Sequence, residues 1–244
     1  MSIRTRPDYG VDGVRYVVGL LSIAVLGPLV GGAALWLGPG TRMFHWGGGV
    51  SVIVGALALI PGLLGLRYVT VGKFRLRDLL LDKVQWRGDE RTLDVGTGGG
   101  LMVIGAAKRA PRGVATGVDI WNSRDLSGNS RERALHNATL EGVTAQVKID
   151  DGDARKLSYA DDSFDVVVSV LCLHNIEPAS DREAALREIA RLVRPGGTVV
   201  LSDLAGVEEY SRVLTSLGFA VEVSGAMLDT FPPQRMVSAK KPSK

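Results

Sequence analysis

The sequence predicts an α/β domain on a mostly parallel sheet, preceded by a hairpin of two membrane-length helices. Three observations predict it. From residue 91 onward, short apolar runs suited to buried strands alternate with helical patterns, as in a parallel sheet with helices on both faces. The first of these runs, Leu93-Asp94-Val95, feeds straight into a glycine turn, Gly96-Thr97-Gly98-Gly99-Gly100. And from Tyr16 to Leu66 the chain carries one formal charge, Arg42.

The 244 residues leave room for one sizeable domain and an appendage. A net charge of +3 is too small to argue for nucleic acid, and no basic patch is interleaved with aromatics, so that partner is set aside. The single cysteine, Cys172, excludes an intrachain disulfide, and its apolar strand setting marks it as a small core residue. His45, His136 and His174 show no zinc spacing, so no metal is expected.

The N-terminal elements come first. Residues 1–16 read as a tail and 17–66 as a hairpin. Val17–Leu37 is apolar or small throughout, and its 21 residues would span roughly 30 Å as a helix, the thickness of a hydrocarbon core. Gly47–Leu66 is a second such run, and Gly38-Pro39-Gly40 breaks the chain between them. Trp46 suits a membrane interface. Pro28 and Pro61 are tolerated in membrane helices where neighbours satisfy the freed backbone groups. Gly27 and Gly31 on the first run, with Gly47, Ser51 and Gly55 on the second, offer small faces for close pairing. Arg4, Arg6 and Arg15 precede the hairpin and Arg67, Lys73, Arg75, Arg77, Lys83 and Arg87 follow it, with only Arg42 in the loop. This bias places both termini and the following domain in the cytoplasm and the loop outside. A cleaved signal peptide would explain the first run but not the second. A soluble helical pair would have to keep 51 residues with one charge in water. Residues 67–90 form a connector in which Leu76, Leu79, Leu80 and Val84 recur at helical spacing. Two readings fit it: an amphipathic helix on the membrane surface or a lid over the site.

In the domain over 91–244, strands are expected near 91–96, 114–119, 145–150, 165–172, 198–203, 219–224 and 235–240. Helices are expected near 99–109, 130–141, 181–193 and 207–217. In such sheets ligands bind outside the carboxyl ends of the strands, where Asp94, the glycine turn and Asp119 all fall. Asp119 lies about 20 residues past the glycines, the spacing of a carboxylate that holds ribose hydroxyls. A dinucleotide site prefers a third glycine where this chain has Leu101, and a carboxylate at Asp94 would repel a pyrophosphate. The charge sign favours a cationic amino-acid ligand.

Taken in order, Asp94 to Gly100, Gly117-Val118-Asp119, Phe164-Asp165-Val166-Val167-Val168-Ser169 and Arg194-Pro195-Gly196-Gly197-Thr198-Val199 resemble the class I S-adenosylmethionine-dependent methyltransferases, from about Thr92 to Lys241. The resemblance implies a Rossmann-like seven-stranded methyltransferase sheet whose last strand is antiparallel and inserted between the fifth and sixth. It implies S-adenosyl-L-methionine as cofactor, held by Asp94, Gly96, Thr97, Gly98 and Gly100 near the methionyl end and by Asp119 at the ribose. Ile120 and Trp121 then lie beside the adenine, Asp153 and Ala154 at its edge, and Asn129 and Ser169 complete the set. Aspartate is also a common turn residue, and Asp150 and Asp151 compete with Asp153. Trp121, Asp125 and Ser127–Ser130 resemble a pattern in a bacterial methyltransferase subgroup with an apolar N-terminal region. Ser or Asn at 127–130 is equally an expected helix N-cap.

The residues after the fourth strand of this family face the reacting methyl, which singles out His174 and Asn175. His174 is suited to take a proton near neutral pH, although many such enzymes work by proximity alone. The membrane hairpin favours a small lipophilic acceptor confined to the same bilayer; a soluble acceptor is the alternative. Two other functions fit parts of the pattern. A nucleotide-dependent oxidoreductase is opposed by Asp94 and Leu101, and a non-catalytic cofactor-binding membrane module by the full set of cofactor residues. Nothing in the sequence sets the oligomeric state.

Overall fold

A computed structural model describes residues 6–10, 14–38, 42–122 and 126–243. Arg4, Pro39, Gly40 and Asp125, singled out above, lie outside the described residues. The chain divides into two compact units, Met1–Gly10 with Phe74–Lys244 and, separately, Val11–Lys73.

The smaller unit is a pair of apolar helices, α1 (Val14–Leu37) and α2 (Arg42–Arg67), the second running through a π-helical turn at Tyr68–Gly72 into α3 (Lys73–Leu81). Tyr16–Leu37 and Arg42–Leu81 are each long and apolar enough to cross a membrane. Their outer faces leave large side chains uncovered, Trp36 at 85% and Leu57 at 68% exposure among them. Where the helices meet, small residues set the spacing. A Cβ on Gly31 would lie 2.4 Å from the Gly48 carbonyl, and one on Gly27 2.8 Å from that of Ser51. The Ser51 hydroxyl donates to Gly27 O at 2.9 Å, and Gly55 sits against Pro28. This is close backbone approach of the kind small faces permit. Gly47, expected on that face, meets nothing, and Gly48 takes its place, because a one-residue step turns a helix by about 100°.

The larger unit is a seven-stranded sheet in the order β3-β2-β1-β4-β5-β7-β6. Its strands are β1 (Arg91–Val95), β2 (Val114–Asp119), β3 (Val147–Asp151), β4 (Phe164–Val170), β5 (Val193–Asp203), β6 (Ala220–Val223) and β7 (Arg235–Lys240). The first five pair in parallel. β7 runs antiparallel between β5 and β6, as the resemblance implies. Helices α4 (Leu101–Arg109), α5 (Arg131–Leu140), α6 (Ala179–Leu192) and α7 (Val207–Ser216) connect them. Leu93, Val167 and Val199 of adjacent strands are fully buried with Leu186 and Ile189 of α6 and Tyr210 of α7. Each such side chain contributes about 1.5–3 kcal/mol by leaving water.

Three local expectations are corrected. The fourth strand ends at Val170, not 172, because Leu171 turns into the left-handed region at φ 52°. The fifth begins at Val193, not 198: the Arg-Pro-Gly-Gly run is a bulged start of the strand, with Phe164 paired to Val193 and Val166 to Thr198. On α3, Leu76, Leu80 and Leu81 are buried while Leu79 is 45% exposed. Leu81 and Arg77 occupy the space beside Gly105 of α4, so the apolar stripe runs through position 81 rather than 79.

Candidate active site

The strand order reverses between β1 and β4, so a ligand crevice opens at their carboxyl ends. The glycine turn leaves β1 there. Gly96 has φ 77°, and a Cβ on it would lie 2.3 Å from Cys172 Sγ; both facts require glycine. Asp94 is 1% exposed. Its carboxylate turns inward and accepts from the Thr97 hydroxyl at 2.7 Å and from Val103 N, in the first turn of α4, at 3.0 Å. Burial pushes its pKa up to about 7 against the pull of those two donors, with Asp119 adding to the rise. Asp94 and Thr97 therefore brace the turn from below.

Asp119 ends β2 with each oxygen on a backbone N–H: Oδ2 accepts from Gly98 at 2.9 Å and Oδ1 from Trp121 at 2.7 Å. Asn129 Nδ2 lies 3.3 Å from the same Oδ1. The turn carrying Asn129 is set by Ser130, which caps α5 by accepting from Arg133 N. Trp121 is held at φ 61°, a conformation bulky residues adopt at a cost of order 1–3 kcal/mol. Its indole donates to Asp151 at 2.6 Å, tying β2 to β3. Ile120 beside it is 63% exposed.

Not every residue singled out in the sequence joins this network. The Ser169 hydroxyl is buried and donates to Val95 O at 2.8 Å, a tie between β4 and β1. Asn175 is exposed. Gly152 N, next to Asp153, donates to Asp119 O at 3.1 Å and brings the Asp153-Ala154 turn to the same edge. The Asp153 carboxylate is engaged by Arg155 Nε and Nη2, whose guanidinium holds it below the usual carboxylate range.

After Leu171 a 3₁₀ turn, Leu173–Asn175, carries His174. His174 Nδ1 lies 2.5 Å from Asp203 Oδ1. Asp203 is 2% exposed at the end of β5. Its oxygens also accept from His174 N at 3.1 Å, the Tyr210 hydroxyl at 3.1 Å and Leu204 N at 2.9 Å. Four groups thus surround one carboxylate, the His174 imidazole among them. Sequence reasoning missed Asp203; the one available signal is an acid closing a strand parallel to the one that delivers His174. Cys172, between the histidine and the glycine turn, has its thiol pKa raised by burial and then by the carboxylates Asp119 and Asp203, which suits a packing role.

The donor set fits S-adenosylmethionine. Asn129 Oδ1 is a buried acceptor with no partner among the described residues. It stands beside Asp119, whose Oδ2 accepts one backbone N–H from Gly98 and keeps a further lone pair, a pair of acceptors matched to two ribose hydroxyls. Sheet order, glycine turn and acidic strand end together are those of the class I S-adenosylmethionine-dependent methyltransferase fold. Residues 93–201 match the family model described as Methyltransferase domain. The chain is 34% identical over 163 residues to the 27-O-demethylrifamycin SV methyltransferase of Amycolatopsis mediterranei, covering 64% of this chain and 56% of that protein. It is 32% identical over 129 residues to the ubiquinone/menaquinone biosynthesis C-methyltransferase UbiE of Dinoroseobacter shibae, covering 53% and 48%. The chain thus spans about half the length of these relatives. A solved SAM-dependent methyltransferase from Aquifex aeolicus shares the fold with a TM-score of 0.57 at 17% identity, over 74% of this chain and 97% of that one.

Proposed function

We propose that the chain is a membrane-tethered methyltransferase that transfers a methyl group from S-adenosylmethionine to a small lipophilic acceptor. The observation that carries this reading is the joining, in one chain, of a methyltransferase unit with a His174–Asp203 pair to two apolar helices of membrane length. When bound, the cofactor supplies an electrophilic methyl on a sulfonium. The chain's own residues hold and align: the Gly96–Gly100 turn takes the methionyl end, Asp119 and Asn129 the ribose, Ile120 and Trp121 the adenine face, Asp153 and Ala154 its edge. Asp203 keeps the proton on His174 Nδ1, which makes Nε2 the nitrogen that accepts the acceptor's proton as the methyl bond forms. The name of the UbiE relative, a quinone-pathway C-methyltransferase, supports an acceptor of lipophilic character. So does confinement of enzyme and acceptor to one bilayer.

The deciding experiment is calorimetry of detergent-purified protein with S-adenosylhomocysteine and with NAD, followed by labelled-methyl transfer to a membrane lipid extract. Binding of the first ligand and label in the lipid fraction are expected; NAD binding alone would sink the reading. Asp119→Ala should weaken S-adenosylhomocysteine by about 1–3 kcal/mol, the scale of hydrogen bonds to a charged group. Unchanged affinity would remove Asp119 from the site.

The Lys/Arg asymmetry supports a two-pass topology with both termini and the catalytic unit cytoplasmic. Reporters fused at either terminus should be cytoplasmic and one placed within 38–40 external. Release of the intact protein by carbonate washing would defeat the hairpin reading.

A further inference from the structure

Just ahead of α1 in sequence, Asp8–Gly10 belongs to the catalytic unit and lies on its glycine turn. Asn137 of α5, 1% exposed, spends its amide on two backbones. Nδ2 donates to Asp8 O and to Gly99 O, both at 2.8 Å, and Oδ1 accepts from Asp8 N at 2.9 Å. The two bonds to Asp8 imitate a rung of a β-ladder and need no particular side chain at that position. Gly99 makes room, since a Cβ there would lie 2.9 Å from Tyr9 Cα. Tyr9 is buried, with its ring edge-on to Phe74 at 5.8 Å and its hydroxyl donating to Glu141 at 2.7 Å.

The same segment reaches the ribose side of the site. Asp8 pairs with Arg133 at 3.3 Å, and Arg133 also donates to Ser127 O, in the turn that sets Asn129 against Asp119. Leu126 fills the space beside both Gly10 and Gly98. Residues 8–10 therefore clamp Gly98–Gly99 from one side and brace the Asn129 turn from the other. In sequence they are separated from the rest of their unit by all of Val11–Lys73. A short segment outside the sheet, held by the Asn137 amide, the Arg133 ion pair and the Tyr9 contacts, opens at lower cost than the sheet beneath it. A ligand that binds only the closed form stabilises that form.

We propose that Asp8–Gly10 is a cofactor strap and Asn137 its positioning residue: S-adenosylmethionine is held tightly only with the strap down on Gly99, and its binding closes the strap. The proposal rests on the methyltransferase reading.

The test uses the full chain in detergent, with S-adenosylhomocysteine as probe. Asn137→Ala removes the clamp. Asp8→Pro removes the N–H that Asn137 accepts while leaving every residue of the sheet and α5 in place, so it guards against a misfolded Asn137 variant. Each should weaken binding at least about tenfold, the scale of one lost hydrogen bond or more, with unchanged far-UV circular dichroism. In the wild-type chain the ligand should slow amide hydrogen exchange at Asp8 and Gly10 by at least about tenfold, which a merely structural segment would not show. Wild-type affinity in Asp8→Pro, or strap amides indifferent to the ligand, overturns the proposal. If the wild-type chain itself does not bind the ligand, the methyltransferase reading falls and the strap falls with it.

Discussion

His174→Ala should lower methyl transfer by about 10²–10⁴-fold, the range for a lost general base, while leaving S-adenosylhomocysteine affinity nearly intact. The expectation follows from the 2.5 Å approach of Nδ1 to Asp203 and from the burial of that carboxylate among the Tyr210 hydroxyl and two backbone N–H groups. A buried carboxylate this close to Nδ1 is placed to orient the ring, which is what a base needs before its pKa matters. Asp203→Asn should cost a comparable factor: an amide donating to Nδ1 would move the proton to Nε2 and leave the ring unable to accept. Raising the pH should partly rescue His174→Ala, because the acceptor then ionises unaided. A loss confined to acceptor KM, without pH rescue, would instead make His174 a wall of the pocket.

Much of this molecule is legible in the chain because its strands are buried on both faces and read as continuous apolar runs between turn residues. That is why β1, β2 and β7 fall where periodicity places them. Asp119 and the glycine turn are local in sequence, so their juxtaposition can be read from spacing alone. The His174–Asp203 pair is not local: it exists because β4 and β5 lie side by side, with Val170 opposite Ser202, and because Leu171 turns the chain out of the strand. Ser169, which the resemblance places among the cofactor residues, donates its hydroxyl to Val95 O; that bond is made across the sheet, and no pattern in the sequence signals it. Asp8–Gly10 reads in sequence as a polar lead-in to an apolar run. Its contact with Gly99 depends on α5, more than a hundred residues later, and no short-range rule reaches that far.

Asp94→Asn should flatten the pH dependence of stability between about pH 4 and pH 7. The folded-state pKa of Asp94 is raised by burial from 3.8 to about 7, so over that window the folded chain holds a proton that the unfolded chain has released. Stability contributed by the neutral carboxyl is therefore fully present below about pH 4 and is lost as pH rises through 7. Three units at about 1.4 kcal/mol each give a loss on the order of 4 kcal/mol. The asparagine carbonyl can still accept from Thr97 and Val103, so the turn keeps its bracing while the buried charge disappears. Chemical unfolding at pH 5 and pH 8 should show the wild-type chain losing stability between the two and the variant losing much less. The same charge separates the ligand classes. A cation bound at the glycine turn favours the ionised carboxylate, so S-adenosylhomocysteine, which keeps its ammonium, should bind more tightly at pH 8 than at pH 5. In Asp94→Asn that gain should vanish. A ligand that binds more tightly as Asp94 becomes neutral would be an anion, and the assignment of the methionyl end to this turn would then be wrong.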